Sequence, residues 1–144
     1  MDKSMAPVLR DRLTVVGSVY HQSPTEEADG FEAQFSRWLE TCDQPYRRHT
    51  AAGEAWQPLD CGWLKEVGML VVRNDEGRFQ QTVLDESEKA EVSGKVLELG
   101  FAGAAGSWLV LPGESFCGCP AAIAGLQIRC RQGTARFTVF AVPK

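Results

Sequence analysis

Residues 126–142 read LQIRCRQGTARFTVFAV, and this stretch decides the fold class of the chain. Apolar residues take alternate positions on both sides of Gln132-Gly133, namely Leu126, Ile128 and Cys130 before it and Ala135, Phe137, Val139 and Ala141 after it. A period of two is typical of a strand with one buried face. The two runs and the glycine between them predict a β-hairpin.

Similar strand signals recur upstream, separated by turns that contain glycine, proline or asparagine. Met69-Leu-Val-Val72 is a compact apolar run that predicts a buried central strand. Asn74-Asp75-Glu76-Gly77 follows it and predicts a hairpin turn into a partner strand at residues 78–84. Other alternating or apolar runs predict strands at 13–20, 96–101 and 108–111, the last of them ended by Pro112-Gly113. Residues 44–53 are polar and are predicted to form an exposed loop or edge.

Residues 24–41 fit two interpretations. Phe31, Phe35, Trp38 and Leu39 recur at helical spacing, and Ser23-Pro24-Thr25-Glu26 before them resembles a capping box. The same segment also alternates as Phe31, Ala33, Phe35 after a turn-forming Asp29-Gly30, which favours a strand. The chain is therefore predicted to be mainly β, a β-sandwich or jelly roll of about eight short strands, with either a strand or one short helix near 24–41. Residues 1–12 are predicted to form an N-terminal arm and 13–144 a single domain.

The overall composition excludes several classes of function. The chain has 144 residues, a formal net charge of −4 and a pI near 5.2, which argues against nucleic-acid binding. It holds no apolar run long enough to cross a bilayer, and residues 1–5 lack the apolar core of a signal peptide. Synthesis in a reducing cytoplasm is therefore expected, and the five cysteines are expected to be free thiols.

The sequence contains no catalytic or metal-binding motif that we can recognise. Cys117-Gly-Cys119 has an unusual spacing for zinc, so both cysteines are predicted to be small buried residues, although Cys42 and His49 could in principle join them. His21 and His49 are the only histidines, and neither lies in a nucleophile motif. Arg129, Arg131 and Arg136 are predicted to lie on a solvated sheet surface. No enzyme activity, cofactor or metal is expected.

Three segments of the second half resemble a pattern found in small virion proteins of tailed bacteriophages. They are Gly68-Met-Leu-Val-Val-Arg-Asn-Asp75, Trp108-Leu-Val-Leu-Pro-Gly-Glu114, and the pair Leu126–Arg129 and Arg136-Phe-Thr-Val-Phe-Ala-Val142. In that pattern an apolar strand ends in an Asn-containing turn, the next closes on Pro-Gly-Glu, and a hairpin follows. The resemblance covers roughly residues 56–142. Residues 85–94 look like an insertion, and Cys117-Gly-Cys119 is not part of the pattern.

The resemblance implies a non-enzymatic assembly protein of the phage virion, built as a β-sandwich and present in several copies. A capsid decoration or minor head protein is the leading interpretation, with a tail or neck component as its alternative. The four tryptophans leave open a second class, a glycan- or receptor-binding module. Partner contacts are predicted in the arm, in residues 47–53 and in residues 87–94, with the candidate residues Arg10, Arg12, Arg47, Arg48, His49, Glu88 and Lys89.

Overall fold

The computed structural model describes residues 10–24, 26–40, 44–77, 94–118 and 123–144. These residues form ten β-strands and no helix, which confirms the mainly-β prediction. The strands are β1 (Arg12–Ser23), β2 (Glu26–Trp38), β3 (Tyr46–Ala52), β4 (Gln57–Pro58), β5 (Val67–Asn74), β6 (Leu97–Phe101), β7 (Trp108–Val110), β8 (Ser115–Gly118), β9 (Leu126–Cys130) and β10 (Ala135–Pro143).

The chain divides into two compact units, Met1–Asp43 and Gln44–Lys144. The first unit contains the antiparallel hairpin of β1 and β2, and the second contains the other eight described strands. The boundary predicted from the sequence lies after residue 12, which is the first residue of β1. The boundary between the two compact units instead lies between β2 and β3. The reason is that β1 and β2, with 12 and 13 residues, pair only with each other within the described chain.

The second unit is a sandwich of two antiparallel sheets. One sheet has the strand order β3-β10-β5-β8 and the other has the order β4-β9-β6-β7. The alternating apolar residues of both sheets meet in one core, whose most buried members include Leu70, Val72, Leu97, Leu99, Ile128 and Val139. Strand β5 lies between β10 and β8, as expected for a central strand. All of its residues are buried except Val71 and Arg73.

The ambiguous segment near residues 24–41 is a strand. Phe31, Ala33 and Phe35 pair with Val19, Gly17 and Val15 across the hairpin, so the alternating pattern is the one that applies. A spacing of four residues fits a strand and a helix equally well, and this explains why the spacing of Phe31 and Phe35 also suggested a helix. Asp29 and Gly30 lie inside β2, so the turn predicted at these two residues is wrong.

The predicted hairpin at Gln132-Gly133 is also wrong. Strand β9 pairs with β4 and β6 in one sheet, whereas β10 pairs with β3 and β5 in the other. The turn therefore carries the chain from one sheet to the other across the core. Alternation correctly identified the buried faces of β9 and β10. The same residues are buried whether the two strands form a hairpin in one sheet or lie in two facing sheets, so alternation could not distinguish these arrangements. The predicted partner of β5 at residues 78–84 lies outside the described chain.

Candidate partner-binding surfaces

One face of the β1–β2 hairpin is apolar, and we call its residues Leu13, Val15, Gly17, Val19, Phe31, Ala33 and Phe35 the hairpin face. Three of the cross-strand pairs are Val15–Phe35, Gly17–Ala33 and Val19–Phe31. Leu13 is buried, but 72% of Val19 and 70% of Phe31 are exposed, and Phe35 is also exposed. Contiguous exposed apolar residues of this kind mark interaction sites in soluble proteins.

The opposite face of the hairpin is mainly polar. The Arg12 guanidinium donates a hydrogen bond to the Ser36 hydroxyl and also lies 5.6 Å from the Trp38 ring centroid. Thr14 and Ser36 share a hydrogen bond of 3.3 Å. Val16 is an exposed apolar residue on this face, opposite Gln34. The hairpin is therefore amphipathic, and a lone two-stranded sheet in water is marginally stable unless another surface packs against it.

The structure describes five of the seven predicted contact residues, two in the first unit and three in the second. Arg10 and Arg12 are exposed in the first unit. On β3, which pairs only with β10 among the described strands, Arg47 lies 5.0 Å from the Phe140 ring centroid and Arg48 bonds the Asp60 carboxylate at 2.6 Å. His49 contacts Thr138 on the neighbouring strand. Glu88, Lys89 and residues 1–9 of the predicted arm lie outside the described chain.

A polar network joins β3, β10 and the end of β5, and Thr138 lies at its centre. The buried Thr138 hydroxyl donates to Asp75 Oδ2 at 2.6 Å, contacts His49 Nδ1 at 2.6 Å and accepts from Arg73 at 3.3 Å. Arg73 also bonds Asp75 Oδ1 at 2.7 Å. The Thr138 hydroxyl has one proton and donates it to Asp75, so the network joins side chains from β3, β5 and β10.

The ionisation of Asp75 makes the stability of this network depend on pH. Partial burial opposes its ionisation, but hydrogen bonds from Thr138 and Arg73 outweigh that effect and hold the pKa of Asp75 below its ordinary value of 3.8. A depressed carboxyl pKa stabilises the fold above the unfolded value, and that stability is lost as the pH falls through the folded pKa. We expect the free energy of unfolding to fall below about pH 4, and the Asp75→Asn variant to show a shallower fall. Urea unfolding from pH 6 to pH 3 measures both slopes, and equal slopes would contradict the assignment.

A second charged cluster surrounds Glu98 on the outer side of the other sheet. The Glu98 side chain is nearly buried and bonds Arg129 at 3.2 Å and Arg131 at 2.6 Å. Arg129 also lies 4.2 Å from the Trp56 ring centroid. In the sheet of β3, β10, β5 and β8, Arg136 of β10 bonds Glu76, which follows β5, at 2.9 Å. The predicted solvated arginine surface is therefore divided among separate ion pairs, and the acidic partners were not identified from the sequence because they are distant along the chain.

Two turns that belong to the phage resemblance, at Asn74 and at residues 112–114, contact each other, and we call this contact the joint. Asn74 is fully buried, and its amide donates to the backbone carbonyls of Lys95 and Val110 at 2.9 Å each. Its Oδ1 accepts the backbone N–H of Glu76 at 2.9 Å. Backbone hydrogen bonds of 2.9 and 3.1 Å join Asn74 to the turn at residues 112–114. The Asn turn and the Pro-Gly-Glu turn are thus two halves of one contact that holds the sheets together.

Three of the described tryptophans are exposed, namely Trp38 on β2, Trp63 and Trp108. Trp63 is 64% exposed and contacts the Tyr46 ring edge to face at a centroid distance of 5.5 Å. Trp108 is also exposed, and its centroid lies 6.1 Å from that of Phe101 and 5.3 Å from that of Phe116. A shallow cavity of about 280 Å³ lies beside Trp108. These rings are available to a ligand, which is the observation that keeps the glycan-binding alternative open.

The cysteine prediction was wrong for the one cysteine of the Cys117-Gly-Cys119 pair that the structure describes. Cys117 is exposed on β8, while Cys61 and Cys130 are buried. Burial raises the pKa of the Cys61 thiol to about 11, so this thiol is protonated at neutral pH. Cys42 and Cys119 lie outside the described chain. Among the described residues, no three His, Cys, Asp or Glu side chains are grouped so that they could hold a metal ion.

Comparison with known proteins adds no relative, since no protein family, curated protein or solved structure matches this chain. In the ranges that the structure describes, no helix is long and apolar enough to span a membrane.

Proposed function

We propose that this chain is a non-enzymatic assembly protein of a bacteriophage virion, and within the virion a capsid decoration or minor head protein that binds the capsid lattice. The observation that carries the proposal is the amphipathic hairpin, whose apolar residues Val19, Phe31 and Phe35 are exposed and do not belong to the sandwich core. Burying one exposed Val or Phe side chain stabilises a complex by about 1.5–3 kcal/mol. The exposed side chains of the hairpin face contribute this stabilisation only when another surface covers them.

The sandwich suits the same role. The motif residues of the phage resemblance, Asn74 and residues 112–114, serve to hold the two sheets together. Strand β3 pairs on one side only within the described strands, so its other edge offers backbone donors and acceptors to a neighbour.

The test is the binding of the full chain to empty capsids and to isolated tails of its own phage, measured by co-sedimentation. The double variant Val19→Ser/Phe31→Ser should bind at least about 100-fold more weakly, because it removes two exposed apolar anchors. Val16→Ser is the matched control, since Val16 is 73% exposed but lies on the polar face.

Each outcome decides between the candidate functions. Binding to capsids supports the leading proposal, and binding to tails alone moves the protein to the tail or neck. Failure to bind either particle would overturn the virion proposal. Saturable binding to a glycan array that is lost in Trp63→Ala would replace it with the glycan-binding module.

A further inference from the structure

The backbone of strand β3 is oriented so that every second residue points away from the sheet. Within the described chain β3 pairs with β10 on one side only. The Arg136 carbonyl of β10 accepts the Asp75 N–H at 2.9 Å, so the backbone groups of Arg136 point toward β5 and away from β3. Ala51 lies opposite Arg136, and its own N–H and C=O therefore point to the open edge of β3.

The same direction holds for Arg47 and His49, which alternate with Ala51 along β3. At Ala51 the edge is already occupied, because the Gln57 amide donates to the Ala51 carbonyl at 3.4 Å. The backbone groups of Arg47 and His49 that point outward have no hydrogen-bond partner among the described residues. Unpaired groups in this arrangement are those to which an extended chain adds as a further strand.

The side chains along this edge are basic, although the chain as a whole has a formal net charge of −4. Arg47, Arg48 and His49 are all exposed. Arg48 is paired with Asp60 at 2.6 Å, whereas Arg47 contacts the Phe140 ring and has no carboxylate partner in the described ranges. A second copy of this chain paired along the same edge would bring these arginines together, and like charges opposite each other destabilise a sheet. The charge therefore favours an acidic partner.

The two faces of the edge differ in chemistry. Arg47 and His49 lie on the outer face of the sheet, where a shallow cavity of about 470 Å³ opens beside the edge. The cavity is lined by His49, Thr50, Ala51, Asp75, Arg136 and Phe137. Its one carboxylate already accepts hydrogen bonds through both oxygens. Tyr46 lies on the other face, and the Trp63 ring that packs against it is 64% exposed.

We infer that the open edge of β3 binds an extended acidic segment of another protein as an added strand. Side chains of a strand alternate between its two faces, so carboxylates at every second position of the segment lie beside Arg47 and His49. The intervening apolar side chains lie on the face of Tyr46 and Trp63. This inference rests on the proposed function in one respect, since it takes the neighbour along β3 to be another virion protein and names the chemistry of its segment.

The experiment titrates the full-length chain against the fluorescein-labelled peptide TEVEVET and follows fluorescence anisotropy. Saturable binding is expected, and the peptide TKVKVKT should bind at least about tenfold more weakly because its charges are reversed. N-methylation of the peptide backbone distinguishes an added strand from attraction between charges alone. An added strand turns alternate amides toward its neighbour, so methylation of one alternate set should abolish binding and methylation of the other set should leave it unchanged.

Two substitutions at Arg47 separate its charge from its backbone group. Arg47→Gln removes the charge and should weaken binding of TEVEVET roughly fivefold. Arg47→Pro also removes the outward N–H, which an edge strand tolerates, and should weaken binding roughly tenfold further. Arg131→Gln is the matched control, because it removes the same charge beside the other sheet and should leave binding unchanged. Thermal unfolding verifies that each variant is folded.

Each remaining outcome is decisive. Absence of saturable binding, equal binding of TKVKVKT, or equal binding of both N-methylated peptides would overturn the inference. A wild-type dimer that Arg47→Pro dissociates would assign the edge to a second copy instead. Capsid binding by a chain that does not bind the peptide would refute the β3 site alone. Peptide binding by a chain that binds neither capsids nor tails would refute the virion role and leave the β3 site standing.

Discussion

Replacing Asn74 with alanine should lower the free energy of unfolding by about 3–5 kcal/mol, because it leaves buried backbone groups unpaired. The Asn74 side chain is fully buried, and it makes three hydrogen bonds of 2.9 Å to the backbone of Lys95, Val110 and Glu76. Each unpaired buried group costs about 1–3 kcal/mol, and the two carbonyl groups belong to Val110, which ends β7, and to Lys95, which lies just before β6. Urea unfolding followed by far-UV circular dichroism measures the loss.

Gln132→Ala is the matched control for Asn74→Ala. Gln132 also accepts a backbone hydrogen bond, from Val96 N at 3.1 Å, but its side chain is exposed to water. Water can replace that bond, so the control should cost less than about 1 kcal/mol. If the two variants were equally stable, the joint at Asn74 would not be the contact that holds the sheets together.

Gly62→Ala should be the second most damaging of the substitutions considered, at about 2–4 kcal/mol. Gly62 has a φ of 66°, and a Cβ there would lie 2.6 Å from two atoms of the Tyr46 ring, which packs against the core. The left-handed conformation costs a non-glycine residue about 1–2 kcal/mol, and overpacking a filled site costs roughly 1–3 kcal/mol. Thermal and urea unfolding report the total, and the fluorescence of the adjacent Trp63 reports displacement of Tyr46.

Gly103→Ala separates the two causes. Gly103 has a similar φ of 78°, but a Cβ at this position would meet nothing within 4 Å. This variant should therefore pay only the conformational cost, about 1–2 kcal/mol. Equal losses in Gly62→Ala and Gly103→Ala would show that the Tyr46 contact adds nothing to the stability of the turn.

Local sequence patterns predicted which side chains are buried more reliably than which strands are neighbours. The alternation of Leu126, Ile128 and Cys130 correctly predicted a buried face for β9, and that of Ala135, Phe137 and Val139 did so for β10. The predicted pairing of these two strands was wrong. Alternation shows which face of a strand is hidden from solvent, and it carries no information on which strand lies beside it. The same limit applied to Phe31 and Phe35, whose spacing fits two types of secondary structure.

The candidate binding surface needed the register of the hairpin. Leu13, Val15 and Val19 could be placed on one face from the sequence, and so could Phe31 and Phe35 if β2 is a strand. Their combination into a single face, and the position of Gly17 opposite Ala33, follow only from the pairing. The charged candidates Arg48 and His49 have partners 12 and 89 residues away along the chain, which no local pattern could reveal.

The sequence by itself determined the all-β class, the buried face of most strands of the sandwich and the turn at Pro112-Gly113, because these depend on local conformation and on contact with water. Tertiary structure alone decided that Gln132-Gly133 crosses between sheets, that Asn74 joins the two turns, and that the hairpin is a unit of its own. Those features depend on contacts between residues far apart in the chain, and their free energies have no local signature.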